Sequence, residues 1–147
     1  MPDAPDDRVL KLKTPEECAV FAKNATDLGR PDLALAARKR AVQLRAAVFG
    51  ATSEVERECI EAIFAYEEVL SYRAGRRQTA SRTWPMIKRY GVIGAVERVV
   101  KRETDAAGYT ALVGMGLGEL AFEAVILRHP ESFSPEAIAR SRERLEA

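Results

Sequence analysis

Histidine, tryptophan and cysteine are scarce in this chain, with one His, one Trp and two Cys among 147 residues. Cys18 and Cys59, with the lone His129 far away in sequence, cannot supply a zinc site of ordinary spacing. Each cysteine falls where a helical period places apolar residues, so both read as small reduced core residues and not as a disulfide. No stretch approaches the roughly 20 consecutive apolar residues of a membrane span, so no contact with a membrane is expected. Residues 1–8 are acidic and carry two prolines with no apolar run behind them, so they do not form a secretory signal; a cytoplasmic location is expected. Period-two runs of β-branched residues between turn signals are also missing, which removes the case for a sheet.

Catalytic and cofactor signatures are missing as well. Gly114-Met115-Gly116-Leu117-Gly118 has the spacing of neither nucleotide-binding fingerprint, lacks a following Lys-Ser/Thr, and reads as a tight interhelical turn. His129 abuts Pro130 at an expected helix end, where a cation suits the helix dipole. It has no nucleophile or Glu-x-x-His partner at motif spacing. Glu119 and Glu123 share an expected helix face and read as a solvated or capping pair. The expectation is a non-catalytic protein without metal or cofactor.

What the chain has in quantity is helix punctuation. Thr14-Pro15-Glu16-Glu17 is a capping box with proline at the first helical position, and Gly29 ends the helix it opens. A second helix is expected from Pro31 to Phe49, before Gly50. Ser53 with Glu56 opens a third, to about Ala74 before Gly75, with Val55, Cys59, Ala62, Ile63, Tyr66, Val69 and Leu70 as its buried stripe. A short helix from Trp84 to Tyr90, capped by Thr83, ends at Gly91; a fifth follows with Val92, Val96, Val99 and Val100 buried, to about Glu103. A turn of helix over Tyr109–Val113, a segment from Glu119 to Arg128 and a terminal amphipathic helix opened by Ser134-Pro135-Glu136 complete the chain. The fold class is all-α. Residues 1–13 are expected to be a flexible tail, and 14–147 a single bundle of about six or seven helices.

Charge is distributed unevenly. From Arg73 to Arg102 nine Lys/Arg face one acid, Glu97, a formal +8 in a chain of net +1, so the remainder carries −7. Trp84 and Tyr90 lie within that stretch. A positive block threaded with aromatics points to an anionic partner, DNA or RNA first. The residues expected to meet it are Arg76, Arg77, Arg82, Lys88, Arg89, Arg98, Lys101 and Arg102. The plainer alternative is a solvated face neutralised by Glu54, Glu56, Glu58 and Glu61 of the third helix. Trp84 suits a packed helix face beside Met86 and Ile87. Tyr90 is left open between core and stacking roles.

Two segments resemble known families. Cys18, Phe21, Ala22 and Ala25 opposed to Ala34 and Ala41 across Gly29-Arg30-Pro31-Asp32 resemble a tetratricopeptide-type helix pair, apart from Arg38 where a bulky apolar residue is usual. The pattern does not recur, so it reads as an αα-hairpin, whose alternative role would be docking a partner protein. Residues 84–102, with a short helix, the Gly91 turn and Val92 and Val100 buried in a second helix, resemble a helix-turn-helix DNA-binding segment. That resemblance implies a regulatory DNA-binding role. Glu97 stands where such a helix buries an apolar residue, Ile87 replaces a small one, and Asn, Gln and Ser are missing near the second helix's start. Contact with phosphates, and not with base edges, is therefore expected.

Overall fold

The computed structural model describes residues 6–102 and 107–146, and these are all-α: eight α-helices and two 3₁₀ turns, with no strand among the described residues. They divide into two compact units, Met1–Phe49 and Gly50–Ala147. No described helix is long and apolar enough to cross a membrane.

The first unit is a helical hairpin, α2 (Pro15–Asp27) and α3 (Pro31–Phe49), preceded by the single turn α1 (Asp7–Leu10). Thr14 caps α2 by accepting from the Glu17 amide at 3.1 Å. Glu17 reaches back one residue further than in a standard capping box, taking the Lys13 amide at 2.7 Å. At the hairpin turn Gly29 has φ +72°, the left-handed conformation that glycine adopts without a Cβ penalty. There the Arg30 amide closes onto the Ala25 carbonyl at 2.8 Å. Ala22, Ala25, Ala34 and Ala37 are buried between the two helices, with Leu33, Phe21 and Leu12 packed around them.

Helix α1 lies in the segment expected to be tail. Residues 1–5 of that segment fall outside the described residues; the rest is ordered by contacts the local pattern does not announce. Asp6 accepts from the Arg8 amide at 2.8 Å, Val9 is buried, and Arg40 of α3 donates to the carbonyls of Leu12 and Leu10. Four residues are too few to show a helical period, and so short a helix holds only through such contacts.

In the second unit α4 (Glu54–Ala74) is packed by α5 (Thr83–Arg102), α6 (Ala107–Gly114) and α7 (Phe122–Arg128), and α7 pairs closely with α8 (Pro135–Glu146). Ser53 caps α4 through the Glu56 amide, and Cys59, Ile60, Ala62, Ile63, Ala65 and Val69 form its buried face. Both cysteines are buried, and neither is in a disulfide. Burial pushes the Cys59 thiol up to about 12. The expected end of the fifth helix at Glu103 lies outside the described residues. Gly114–Gly118 makes a turn in which the Leu117 amide returns to the Leu112 carbonyl at 2.8 Å.

The single helix expected from Glu119 to Arg128 is broken. A 3₁₀ turn, Gly118–Leu120, is followed by Ala121 in extended conformation, and α7 starts only at Phe122. Alanine favours helix, but here its methyl is wholly buried and tertiary packing overrides the propensity. The break also changes the reading of the two acids. Glu119 is exposed on the 3₁₀ turn, whereas Glu123 is buried and bonded to Arg144 of α8 at 2.8 Å, not solvated.

Candidate nucleic-acid interface

The basic stretch begins in the loop between α4 and α5, and one buried carboxylate organises that loop. Glu67, fully buried on α4, accepts from the Arg77 guanidinium at 2.5 Å, the Ala80 amide at 2.8 Å and the Trp84 indole N–H at 2.6 Å. A buried charge holds its place when its lone pairs are met in this way. Ser71 adds to the loop by accepting from the Gln78 amide and donating to the Gln78 carbonyl. Trp84, half-buried and not fully in the core, is thereby held by its ring nitrogen and packs on Phe64 with ring centres 5.1 Å apart. Arg77 belongs to this internal network. Arg76 is exposed and has no such partner among the described residues.

Helix α5 is two helical arms, 83–90 and 92–102, joined at Gly91 with φ +79° and ψ 171°. That backbone region is essentially reserved for glycine, so Gly91 sets the bend. A Cβ on Gly94 would lie 3.3 Å from the Tyr90 Cβ, so a small residue there lets the second arm approach Tyr90. Around the half-exposed Tyr90 ring two cations gather, Arg98 with its guanidinium carbon 3.7 Å from the ring centre and Arg89 at 5.2 Å. Lys88 is exposed on the first arm.

On the second arm the three cations Arg98, Lys101 and Arg102 are not equivalent. Lys101 is engaged by Glu97 at 3.5 Å and by Glu136 of α8 at 3.8 Å. Glu97, the apparent misfit of a recognition helix, accepts from both the amide and the hydroxyl of Ser134 and so ties α5 to the start of α8. Burial alone would raise the Glu97 carboxyl; the Ser134 hydrogen bonds and the Lys101 charge outweigh it and hold the group below its usual value. Arg102, one turn beyond Arg98, lines a cleft that Arg82 also lines.

The acids expected to neutralise this block are occupied elsewhere. Glu54 and Glu61 both hold Arg57 of their own helix, and Glu56 binds the Thr52 amide and hydroxyl. Glu58 takes Arg128 at 2.7 Å and His129 at 2.8 Å. Burial acts to raise the Glu58 carboxyl, but hydrogen bonds from His129 and Arg128 prevail and hold it below the ordinary range. Of the nine basic residues, Arg77 and Lys101 are ion-paired. Arg73, Arg76, Arg82, Lys88, Arg89, Arg98 and Arg102 are exposed and make no ion pair with a described residue.

Sequence reasoning missed Glu67 and the Glu123–Arg144 pair. Each links residues remote in sequence, 10 to 17 positions apart for Glu67 and 21 for Glu123. A neighbour-based pattern carries no signal at such separations. Comparison of the chain with protein-family models, curated proteins and solved structures gives no match.

Proposed function

We propose that the chain binds nucleic acid non-catalytically through the phosphate backbone, along a strip formed by Arg82, Arg102, Arg98 and Arg89. The observation that carries this reading is the continuity of the strip. Arg82 and Arg102 share one cleft, Arg102 and Arg98 are one helical turn apart, and Arg98 and Arg89 share the Tyr90 ring. None of the four is ion-paired with a described residue, so their charge is available to an external polyanion. Tyr90 supplies an aromatic face within the strip, a feature common to sites that accept unpaired bases. Arg89 and Arg98 flank the Gly91 bend, and no Asn or Gln occurs between Arg82 and Arg102, which favours backbone contacts over base reading.

The role of an adaptor built on the α2–α3 hairpin has less behind it. Val20, Leu28 and the adjacent Val48 and Phe49 are exposed there, and so few exposed apolar side chains need no partner to explain them. Fluorescence polarisation with labelled oligonucleotides of unrelated sequence tests the proposal. Binding at low salt with similar affinity for each sequence is expected, weakened in Arg98→Ala. No binding at low salt would overturn it.

A further inference from the structure

Within the second unit a cleft of about 450 Å³ opens between α4, α5, α6 and α7. Sites for small organic ligands occupy roughly 300–1,000 Å³, with mostly apolar walls and a few placed polar groups. This cleft has a volume in that range, and its walls mix apolar groups with the hydroxyls of Thr79, Ser81 and Thr83 and with charged side chains. Met86, Leu112 and Phe122 supply apolar surface, and the rings of Tyr66 and Tyr109 add flat faces with hydroxyl edges.

The charges lining it do not cancel. Glu123 and Arg144 neutralise each other in a bond of 2.8 Å, both side chains less than a tenth exposed, and Arg144 also donates to the Val100 carbonyl. That leaves Arg82 and Arg102, a net of +2 among the described lining residues, neither of them ion-paired with a described residue. Two exposed guanidinium groups at an aromatic cleft match a ligand with a planar body and an anionic end.

We propose that this cleft binds a small aromatic anion, its one or two rings against Tyr66, Tyr109 and Phe122 and its carboxylate or phosphate on Arg82 and Arg102. The inference stands apart from nucleic-acid binding, because it requires a discrete ligand that occupies the cleft with no polymer attached. Carboxylate and phosphate monoester share the recognition chemistry, and the choice between them is made by experiment.

Calorimetric titration of the full chain with 2-naphthoate, 2-naphthyl phosphate and neutral 2-naphthol at pH 7 provides the test. Saturable binding of at least one anion, about tenfold or more tighter than the naphthol, is expected, since charge-assisted hydrogen bonds are worth at least that factor. The tighter anion identifies the preferred end group. The double variant Arg82→Ala/Arg102→Ala should bring the anion to the naphthol's affinity. Gly108, which lines the cleft with open space where a Cβ would project, allows a steric block: Gly108→Phe should abolish binding. Circular dichroism should be unchanged in both variants, and the arginine variant changes only exposed side chains. Failure of both anions to bind at millimolar concentration, equal binding of the naphthol, or wild-type affinity in a folded variant would overturn the assignment.

Discussion

Among single residues Glu67 is the most consequential. Its carboxylate holds the Arg77 guanidinium, the Ala80 amide and the Trp84 indole, so it fixes the entry to the basic stretch. Replacing it by Ala leaves the Ala80 amide and the Trp84 indole without their acceptor, and each buried donor left unsatisfied costs about 1–3 kcal/mol, whereas the half-exposed Arg77 can turn to water. Chemical denaturation of Glu67→Ala should show a loss of that size, with Trp84 emission shifted to the red in the remaining folded state. Cys59 offers a second check at this scale. Its thiol, fully buried and pushed up to about 12, should stay unreacted with an aromatic disulfide reagent until the protein unfolds. The apolar stripe on α4 was legible from its spacing, but the charge beside it was not. A glutamate reads as exposed until its partners, 10 to 17 residues away, are known.

Among the elements, the caps were the legible part. Thr14, Ser53 and Gly75 mark boundaries by local chemistry alone: α2 and α4 begin, and α4 ends, where those signals stand. The turn α1 and the break at Ala121 depend on burial against distant helices, and no local signal foretells them. The bend of α5 is legible in Gly91, although its direction is not. Gly91→Ala forces a side chain into a backbone region reserved for glycine, at a cost on the order of 1–3 kcal/mol. It should lower the denaturation midpoint and also disturb the Arg89–Tyr90–Arg98 cluster.

Acid stability follows from two carboxylates that join elements. Glu58 links α4 to the end of α7, and Glu97 links α5 to α8; both titrate below their ordinary 4.5 in the folded chain. A depressed carboxyl adds stability that is complete above the unfolded value and is lost as pH falls through the folded one. Unfolding free energy should therefore decline as pH drops below about 4.5, and less steeply in Glu58→Gln and Glu97→Gln.

For the whole molecule, charge placement matters more than net charge. The chain is nearly neutral, yet the +8 between Arg73 and Arg102 was plain in the sequence. The division of those cations into paired and unpaired was not. Lys101 is taken up by Glu97 and Glu136, whereas Arg82, Arg89, Arg98 and Arg102 are exposed and make no ion pair with a described residue. The most direct measurement is the salt dependence of duplex DNA binding in wild type, in Arg82→Ala/Arg89→Ala/Arg98→Ala/Arg102→Ala and in Lys101→Ala. Each lost phosphate contact removes about 0.9 from the log–log slope. The account predicts a measurable wild-type slope, a much shallower one in the fourfold variant and an unchanged one in Lys101→Ala. A fourfold variant that binds with the wild-type slope, or a wild type that does not bind at low salt, would contradict it.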